Sequence, residues 1–332
     1  MNKKSLAAAV AVVGLGVSIL GASSAVADPP SGTYGTLAGV GSDTTESVMN
    51  GIASTYAAAH SGNYLIASYD AFGSAQIQTK SAGACVANRP GGSGPGADRL
   101  RQSTLAGDGC VDFARSSSGP GSSQAGYQQT FIPFATDAVS YAIRSDSSIS
   151  KKLTAVQLKA IYDCSYGTTY QPLLPNYGSG TRKFFLQSLG YSSTDQNNAS
   201  FAGSAGHECV VDAGQENNGT LLTNAKQIIP FSIGSYLGQF NGVASSTLGK
   251  AVLGRVGDTA AFNLNASSPF NRTVYNVVPT NKLGDSDIVS AFVGTNGQGT
   301  GNNSVVCSDQ ADIQRYGFAL NANCGATSTV TP

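Results

Sequence analysis

Short β-type runs alternate with amphipathic helical stretches along most of this chain, and that alternation restricts its fold more than any other feature. Residues 36–40 read as a first strand. Residues 44–60 follow with Val48, Ile52 and Tyr56 on one helical face and Met49 and Ala53 beside them. Asp43 or Thr44 can cap that helix, Glu46 suits its first turn, and Gly62 ends it. Residues 64–69 read as a second strand and 111–114 as a third; between them 80–109 is rich in Gly, Pro and Ala, with a short helix around 97–105. The apolar run 131–143 is broken by Pro133 and suits strands better than a helix. Helices are expected over 154–162 with a Thr cap, over 181–189 closed by Gly190, and over 285–292; further strands fall at 228–233 and 274–278. This βαβα order predicts an α/β class with mostly parallel sheets. A length of 332 residues suits two lobes better than one core.

Charge narrows the function classes. Lys+Arg and Asp+Glu are both 19, so the concentrated basic surface of a duplex nucleic-acid binder is lacking. The two histidines, His60 and His207, exclude a His-rich metal site and leave few candidates for acid–base catalysis. No metal or other cofactor is expected. Lys3 and Lys4, the small apolar run 5–20 and Ala25-Val26-Ala27 together fit a cleaved export leader over residues 1–27. The expected location is therefore periplasmic or secreted. No cysteine near the cleavage site provides a lipid anchor.

Export changes how the six cysteines read. In an oxidising compartment an even number without a CxxC pair implies disulfides. Fifteen pairings are possible. The favoured one joins sequence neighbours: Cys85–Cys110, Cys164–Cys209 and Cys307–Cys324. Each would contribute on the order of 3–4 kcal/mol by restricting the unfolded chain.

Three Gly-Ser loops stand between strand-like and helix-like segments: Gly41-Ser42-Asp43-Thr44, Gly73-Ser74-Ala75 and Gly178-Ser179-Gly180-Thr181. Glycine lets backbone N–H groups turn toward a ligand, hydroxyls add donors, and a helix starting there adds unpaired N–H groups and a positive dipole end. An anion is the natural guest, although the same residues also serve as ordinary caps and turns. In Val111-Asp112-Phe113-Ala114-Arg115-Ser116-Ser117, a cation directly follows a short apolar strand. Ligands of open α/β sheets bind at that edge.

In order and spacing these motifs resemble those of the PstS-like proteins, the phosphate-binding receptors of bacterial ABC transporters. Val40-Gly41-Ser42-Asp43-Thr44, Ala71-Phe72-Gly73-Ser74 and 111–117 are similar to that family's first three phosphate loops, and 153–162 to the helix before the last. Gly178-Ser179-Gly180-Thr181, with Phe184 and Leu189 downstream, resembles its most diagnostic motif. The resemblance implies a type II periplasmic-binding-protein-like fold: two α/β lobes, two hinge-crossing strands near 135–142 and 272–278, and a ligand closed between the lobes. Lobe 1 would comprise 28–138 and 273–332, and lobe 2 would comprise 139–272. The implied function is capture of hydrogen phosphate for ABC-type uptake by a monomeric, non-enzymatic receptor with an ABC permease as partner. The implied contacts are Ser42, Asp43, Thr44, Ser74, Arg115, Ser117, Ser179, Gly180 and Thr181. Two positions depart from the family pattern. Ser117 stands where an aspartate usually accepts the phosphate proton, and Pro175 stands where an arginine is common. Arg115, then Arg182, are the expected replacement cations, and Asp43 the replacement acceptor.

Four rival readings remain, one of them a cell-surface adhesion or structural module, which the Tyr, Asn and Gly content permits and nothing else supports. A sulfate-like oxyanion could take the place of phosphate. A sugar receptor could use the 14 Tyr and 13 Phe, although Trp is absent. A secreted hydrolase would need Ser179 as nucleophile and His60 or His207 as base, yet Tyr177-Gly178-Ser179-Gly180-Thr181 lacks the Gly-x-Ser-x-Gly spacing.

Overall fold

The computed structural model describes residues 28–81, 83, 85–121, 128–258, 264, 270–328 and 330–331. The expected leader, 1–27, lies outside the described residues. In chain order the elements are β1 (Leu37–Gly41), α1 (Glu46–Ala59), β2 (Ile66–Ser68), β3 (Gln76–Gln78), β4 (Val86–Asn88), α2 (Ser93–Ala106), β5 (Phe113–Ser116), β6 (Gln129–Arg144), β7 (Lys152–Leu153) and α3 (Ala155–Tyr162). Then come β8 (Gln171–Pro175), α4 (Gly180–Ser188), α5 (Ser193–Gln196), β9 (Val211–Gly214), β10 (Gln227–Ser232), α6 (Ile233–Phe240), β11 (Ala251–Leu253), β12 (Arg255–Val256) and β13 (Asn271–Pro279). The chain closes with α7 (Ser286–Ile288), a π-helical turn (Val289–Val293), α8 (Val305–Ser308), α9 (Gln310–Arg315), β14 (Ala319–Leu320) and β15 (Val330–Thr331).

The main sheet runs β2-β1-β5-β13-β6-β10-β8-β9, and β6 is its backbone. Residues 129–138 of β6 pair with β13, and 139–143 pair with β10. One strand thus belongs to two half-sheets, which is the two-lobed α/β architecture expected. Each half-sheet is covered on both faces. In lobe 1, Val48, Met49 and Ile52 of α1 pack with Phe113, Phe134 and Val274, and Leu100 of α2 packs on the other face with Val40, Phe131 and Val277. In lobe 2, Leu158 of α3 and Phe185 of α4 cover one face, and Ile233 and Tyr236 of α6 the other.

The strand directions differ in part from expectation. Parallel pairing holds away from the seam, where β1 pairs β2 and β5, and β8 pairs β9 and β10. At the seam the pairing is antiparallel, β13 with β5 and β6, and β6 with β10 and β11. The reason is geometric: β13 brings the chain back beside the strand that carried it out, so the two run in opposite directions. The run expected to be several strands is the single β6, which carries Pro133 at a register irregularity. Ala135 faces Val274 and Pro133 faces Tyr275, leaving Phe134 as the extra residue, and a bulge is where a strand tolerates the lost N–H of proline.

Three disulfides join Cys85–Cys110, Cys164–Cys209 and Cys307–Cys324, with Cα separations of 5.1, 5.7 and 5.8 Å. The first ties the β3–β4 hairpin to the start of β5, the second ties the end of α3 to the segment before β9, and the third ties α8 to the chain after β14.

Candidate functional site

Two strand-to-helix turns, one from each lobe, face each other across the gap. The lobe 1 turn leads from β1 into α1. Gly41 holds φ at +121°, and a Cβ there would lie 2.6 Å from the Arg115 carbonyl oxygen, so glycine suits this position on both counts. The N-cap of α1 is Thr45, with no side-chain cap bond. Asp43 and Thr44 therefore do not cap the helix, and both make side-chain bonds to lobe 2. The lobe 2 turn leads from β8 into α4, where Ser179 is the N-cap and its hydroxyl accepts the Arg182 N–H at 3.0 Å. Thr44 Oγ1 and Thr181 Oγ1 are 3.1 Å apart. Two helix N-termini, each the positive end of a dipole, thus open on the same small volume.

A cation stands beside them. Arg272, in β13, is the cross-strand partner of Asp137 in β6, where β6 changes partners. Its Nη2 donates to Asp137 Oδ2 at 2.8 Å, Thr181 Oγ1 at 3.0 Å and Thr44 Oγ1 at 3.3 Å, and its Nε donates to Asp137 Oδ2 at 3.0 Å. The guanidinium also lies 5.5 Å from the Phe184 ring centre. Asp137 is fully buried and accepts from the Ser232 hydroxyl and the Gly234 N–H at 2.9 Å as well. Arg272 Nη1 and Ser42 Oγ are buried and, among the described residues, bond to nothing. Unspent buried donors are costly unless a ligand takes them.

The donors converge on one carboxylate. Glu216 follows β9 and is 2% exposed. Its Oε2 accepts from the Ser179 hydroxyl and, at 3.3 Å, from the Thr181 N–H; its Oε1 accepts from the Thr44 hydroxyl at 3.2 Å. The next residue, Asn217, is left-handed with φ +55°. Its amide donates to Asp43 Oδ1 at 3.0 Å and Thr44 Oγ1 at 3.2 Å, while its Oδ1 accepts the Ser232 N–H at 2.9 Å. Gln215 donates to Asp43 Oδ2 at 3.4 Å. Burial first, then the charge of Glu216, pushes the Asp43 carboxyl well above its ordinary range.

Of the residues expected at the site, Thr44, Ser179 and Thr181 meet around Glu216, Asp43 is held beside them by Gln215 and Asn217, and Ser42 is buried in the same lobe 1 turn. Ser117 lies against the start of α4. Its Oγ is 3.3 Å from Ser93 Oγ, and a Cβ on Gly180 would come within 2.4 Å of it, so Gly180 permits the lobes to touch there. Ser74 stands apart, exposed, donating to the Gln76 carbonyl at 2.6 Å and accepting from Arg89 at 2.7 Å. Arg115, the expected cation, turns into lobe 1, where it donates to the carbonyls of Ser42 and Tyr69 at 3.1 and 2.8 Å and to the Ser68 hydroxyl at 2.7 Å. Burial lowers its pKa, and Glu46, Asp70 and Asp43 offset part of that. Arg182 donates to the Pro175 carbonyl at 2.9 Å and to Asp212, and its Nε is buried without a partner among the described residues. Sequence reasoning missed Arg272, Asp137, Glu216 and Asn217. The position of Arg272 at the start of a hinge strand was the available signal for it; Glu216 and Asn217 carried none.

The sequence matches the PBP superfamily domain over residues 26–294. No curated protein is similar enough to count as a match. Among solved structures, a candidate phosphate ABC transporter substrate-binding protein with bound phosphate from Clostridium perfringens shares 15% identity, with a TM-score of 0.59 over 86% of this chain and 99% of that one. An ABC-type phosphate transport receptor from Vibrio cholerae shares 15% identity, with a TM-score of 0.52 over 86% of this chain and 100% of that one. The phosphate-bound periplasmic phosphate-binding protein PfluDING shares 12%, with a TM-score of 0.52 over 86% and 90% of the two chains. At these identities the likeness concerns the fold, and it agrees with a β6 shared by two half-sheets and two helix N-termini meeting between them: the chain belongs to the PBP superfamily and has its two-lobed α/β form.

Proposed function

We propose that this chain captures hydrogen phosphate between its lobes and delivers it to an ABC-type permease. The observation that carries the reading is the convergence of hydroxyls of Thr44 and Ser179 and the Thr181 N–H on one buried negative group, beside the charge of Arg272. Spare donors at Arg272 Nη1 and Ser42 Oγ supply what a four-oxygen anion needs beyond a two-oxygen carboxylate. Similar folds that carry bound phosphate support the choice of anion. An ionised Asp43 disfavours a fully ionised guest, because a buried carboxylate near an anion is tolerable only when a proton lies between the charges, and hydrogen phosphate brings that proton whereas sulfate does not. That favours hydrogen phosphate over sulfate. The role is binding, with no bond made or broken.

We place the lobe boundary at the partner change of β6, between Ala138 and Val139, close to the split of 28–138 and 273–332 from 139–272. The leader-like pattern of residues 1–27 supports a periplasmic or secreted location, and among the described residues no helix is long and apolar enough to cross a membrane. A single chain supplies every group named above, which suits a monomer. Calorimetric titration of the oxidised protein, stripped of carried-over anion by unfolding and refolding, tests the proposal. Phosphate is expected to bind one per chain and more tightly than sulfate; absence of heat with phosphate would falsify the reading.

A further inference from the structure

We propose that Glu216 is an internal ligand of the anion site: its carboxylate latches the lobes shut, and a captured anion must displace it. This deepens the reading of the site as an oxyanion trap and rests on it. Four observations carry it. Both Glu216 oxygens are engaged by the groups a bound anion would need, the hydroxyls of Thr44 and Ser179 and the Thr181 N–H. An oxyanion making those bonds and Glu216 making them exclude one another. The bonds also span the gap, since Thr44 comes from lobe 1 whereas Ser179, Thr181 and Glu216 come from lobe 2.

The flanking residues complete the latch. Gln215 and Asn217 donate to Asp43, and Asn217 donates to Thr44, so three consecutive side chains of lobe 2 grip one turn of lobe 1. Asn217 is in turn fixed from its own lobe, by the Ser232 N–H at 2.9 Å and by Gln239, whose amide donates to the Asn217 carbonyl at 2.9 Å. Its left-handed φ is a conformation that asparagine tolerates better than most residues. Finally, no cation lies within salt-bridge distance of Glu216, among the described residues; Arg272 is paired with Asp137. A buried carboxylate held by neutral donors alone is held less firmly than an ion pair and can exchange with a freely diffusing anion.

A tethered competitor makes the apparent affinity equal to the intrinsic one multiplied by the fraction of molecules in which the donors are free. If Glu216 holds them nine-tenths of the time, its removal tightens anion binding about tenfold. The experiment compares the oxidised, refolded protein with its Glu216→Ala and Glu216→Gln variants, all checked for a cooperative melt. Inorganic phosphate and sulfate are titrated by calorimetry, and the radius of gyration is measured by small-angle scattering without anion. Expected are about tenfold tighter phosphate binding in Glu216→Ala, a smaller gain in Glu216→Gln, and a larger anion-free radius in both variants that phosphate reverses. Weaker phosphate binding in the variants would make Glu216 a contact of the anion rather than its rival and overturn the proposal. So would equal anion-free radii. If no protein binds either anion yet the variants are more open, the latch stands and the phosphate reading falls.

Discussion

Arg272 and Arg115 are both buried arginines, and their partners assign them different work. The donors of Arg115 end on carbonyls and a hydroxyl of lobe 1, so it braces the turns that follow β1 and β2. Arg272 reaches a hydroxyl from each lobe and keeps Nη1 unspent. Losing a buried charge partner of a ligand costs about 2–5 kcal/mol. Arg272→Gln is therefore expected to weaken phosphate binding by about 30-fold or more by calorimetry, where each 1.4 kcal/mol is tenfold. Arg115→Gln is expected to lower the denaturation midpoint while leaving the phosphate Kd of the folded protein within about threefold, roughly 0.6 kcal/mol. A tenfold loss in Arg115→Gln with Arg272→Gln unchanged would reverse the assignment. The contrast also shows why one arginine stood out in the sequence and the other did not. Arg115 directly follows a short apolar strand in a recognisable motif, whereas Arg272 draws its meaning from Asp137, which lies 135 residues away and is brought opposite by antiparallel register. Local pattern carries no trace of such a pairing.

At the scale of elements, α4 shows what the closed gap demands. A Cβ on Gly180 would lie 2.4 Å from Ser117 Oγ and 2.5 Å from Ser93 Oγ, both in lobe 1. Gly180→Ala leaves α4 free to form, since alanine is the better helix residue, but it obstructs closure. Overpacking costs about 1–3 kcal/mol, so phosphate affinity is expected to fall by about 5- to 150-fold. The anion-free protein should still melt cooperatively, and Ser93→Ala with Ser117→Ala should restore much of the binding. Failure of that rescue would place the defect in α4 itself. Elements with strong local signals were legible. Helix α3 begins at the expected Thr154, whose side chain and Gln157 form a reciprocal capping box. Others were not. Gln-Pro-Leu-Leu-Pro in β8 carries two prolines, and Val-Asp-Ala-Gly in β9 has little apolar character. These strands are stabilised by neighbours that the chain reaches only after folding.

For the whole molecule, the seam between the lobes concentrates negative charge, and pH should reveal it. Burial first, then neighbouring carboxylates, raises Asp43 and Glu46 well above their ordinary 3.8 and 4.5. Burial also raises Asp70, against the opposing pull of Arg115. An acid whose folded pKa is raised holds its proton in the folded state at a pH where the unfolded chain has released it. Its contribution to stability is therefore complete below the unfolded value, near pH 4, and declines as pH rises through the folded one. Other carboxylates act in the opposite sense: Asp28, despite burial, is lowered by its bonds to Arg89 and the Asp70 N–H. A variant isolates the seam from them. Asp43→Asn keeps an oxygen for the Asn217 amide and removes the charge that Glu216 opposes. Without anion, the variant and the parent are expected to melt together near pH 4, and the variant to gain on the parent steadily toward pH 7. Anion binding adds a separate increment of about 2.7 kcal/mol at one hundred times Kd, so the melts must be read in phosphate-free buffer. A constant offset across this range would mean that Asp43 ionises in the folded protein as it does in water, so that neither burial nor the charge of Glu216 acts on it.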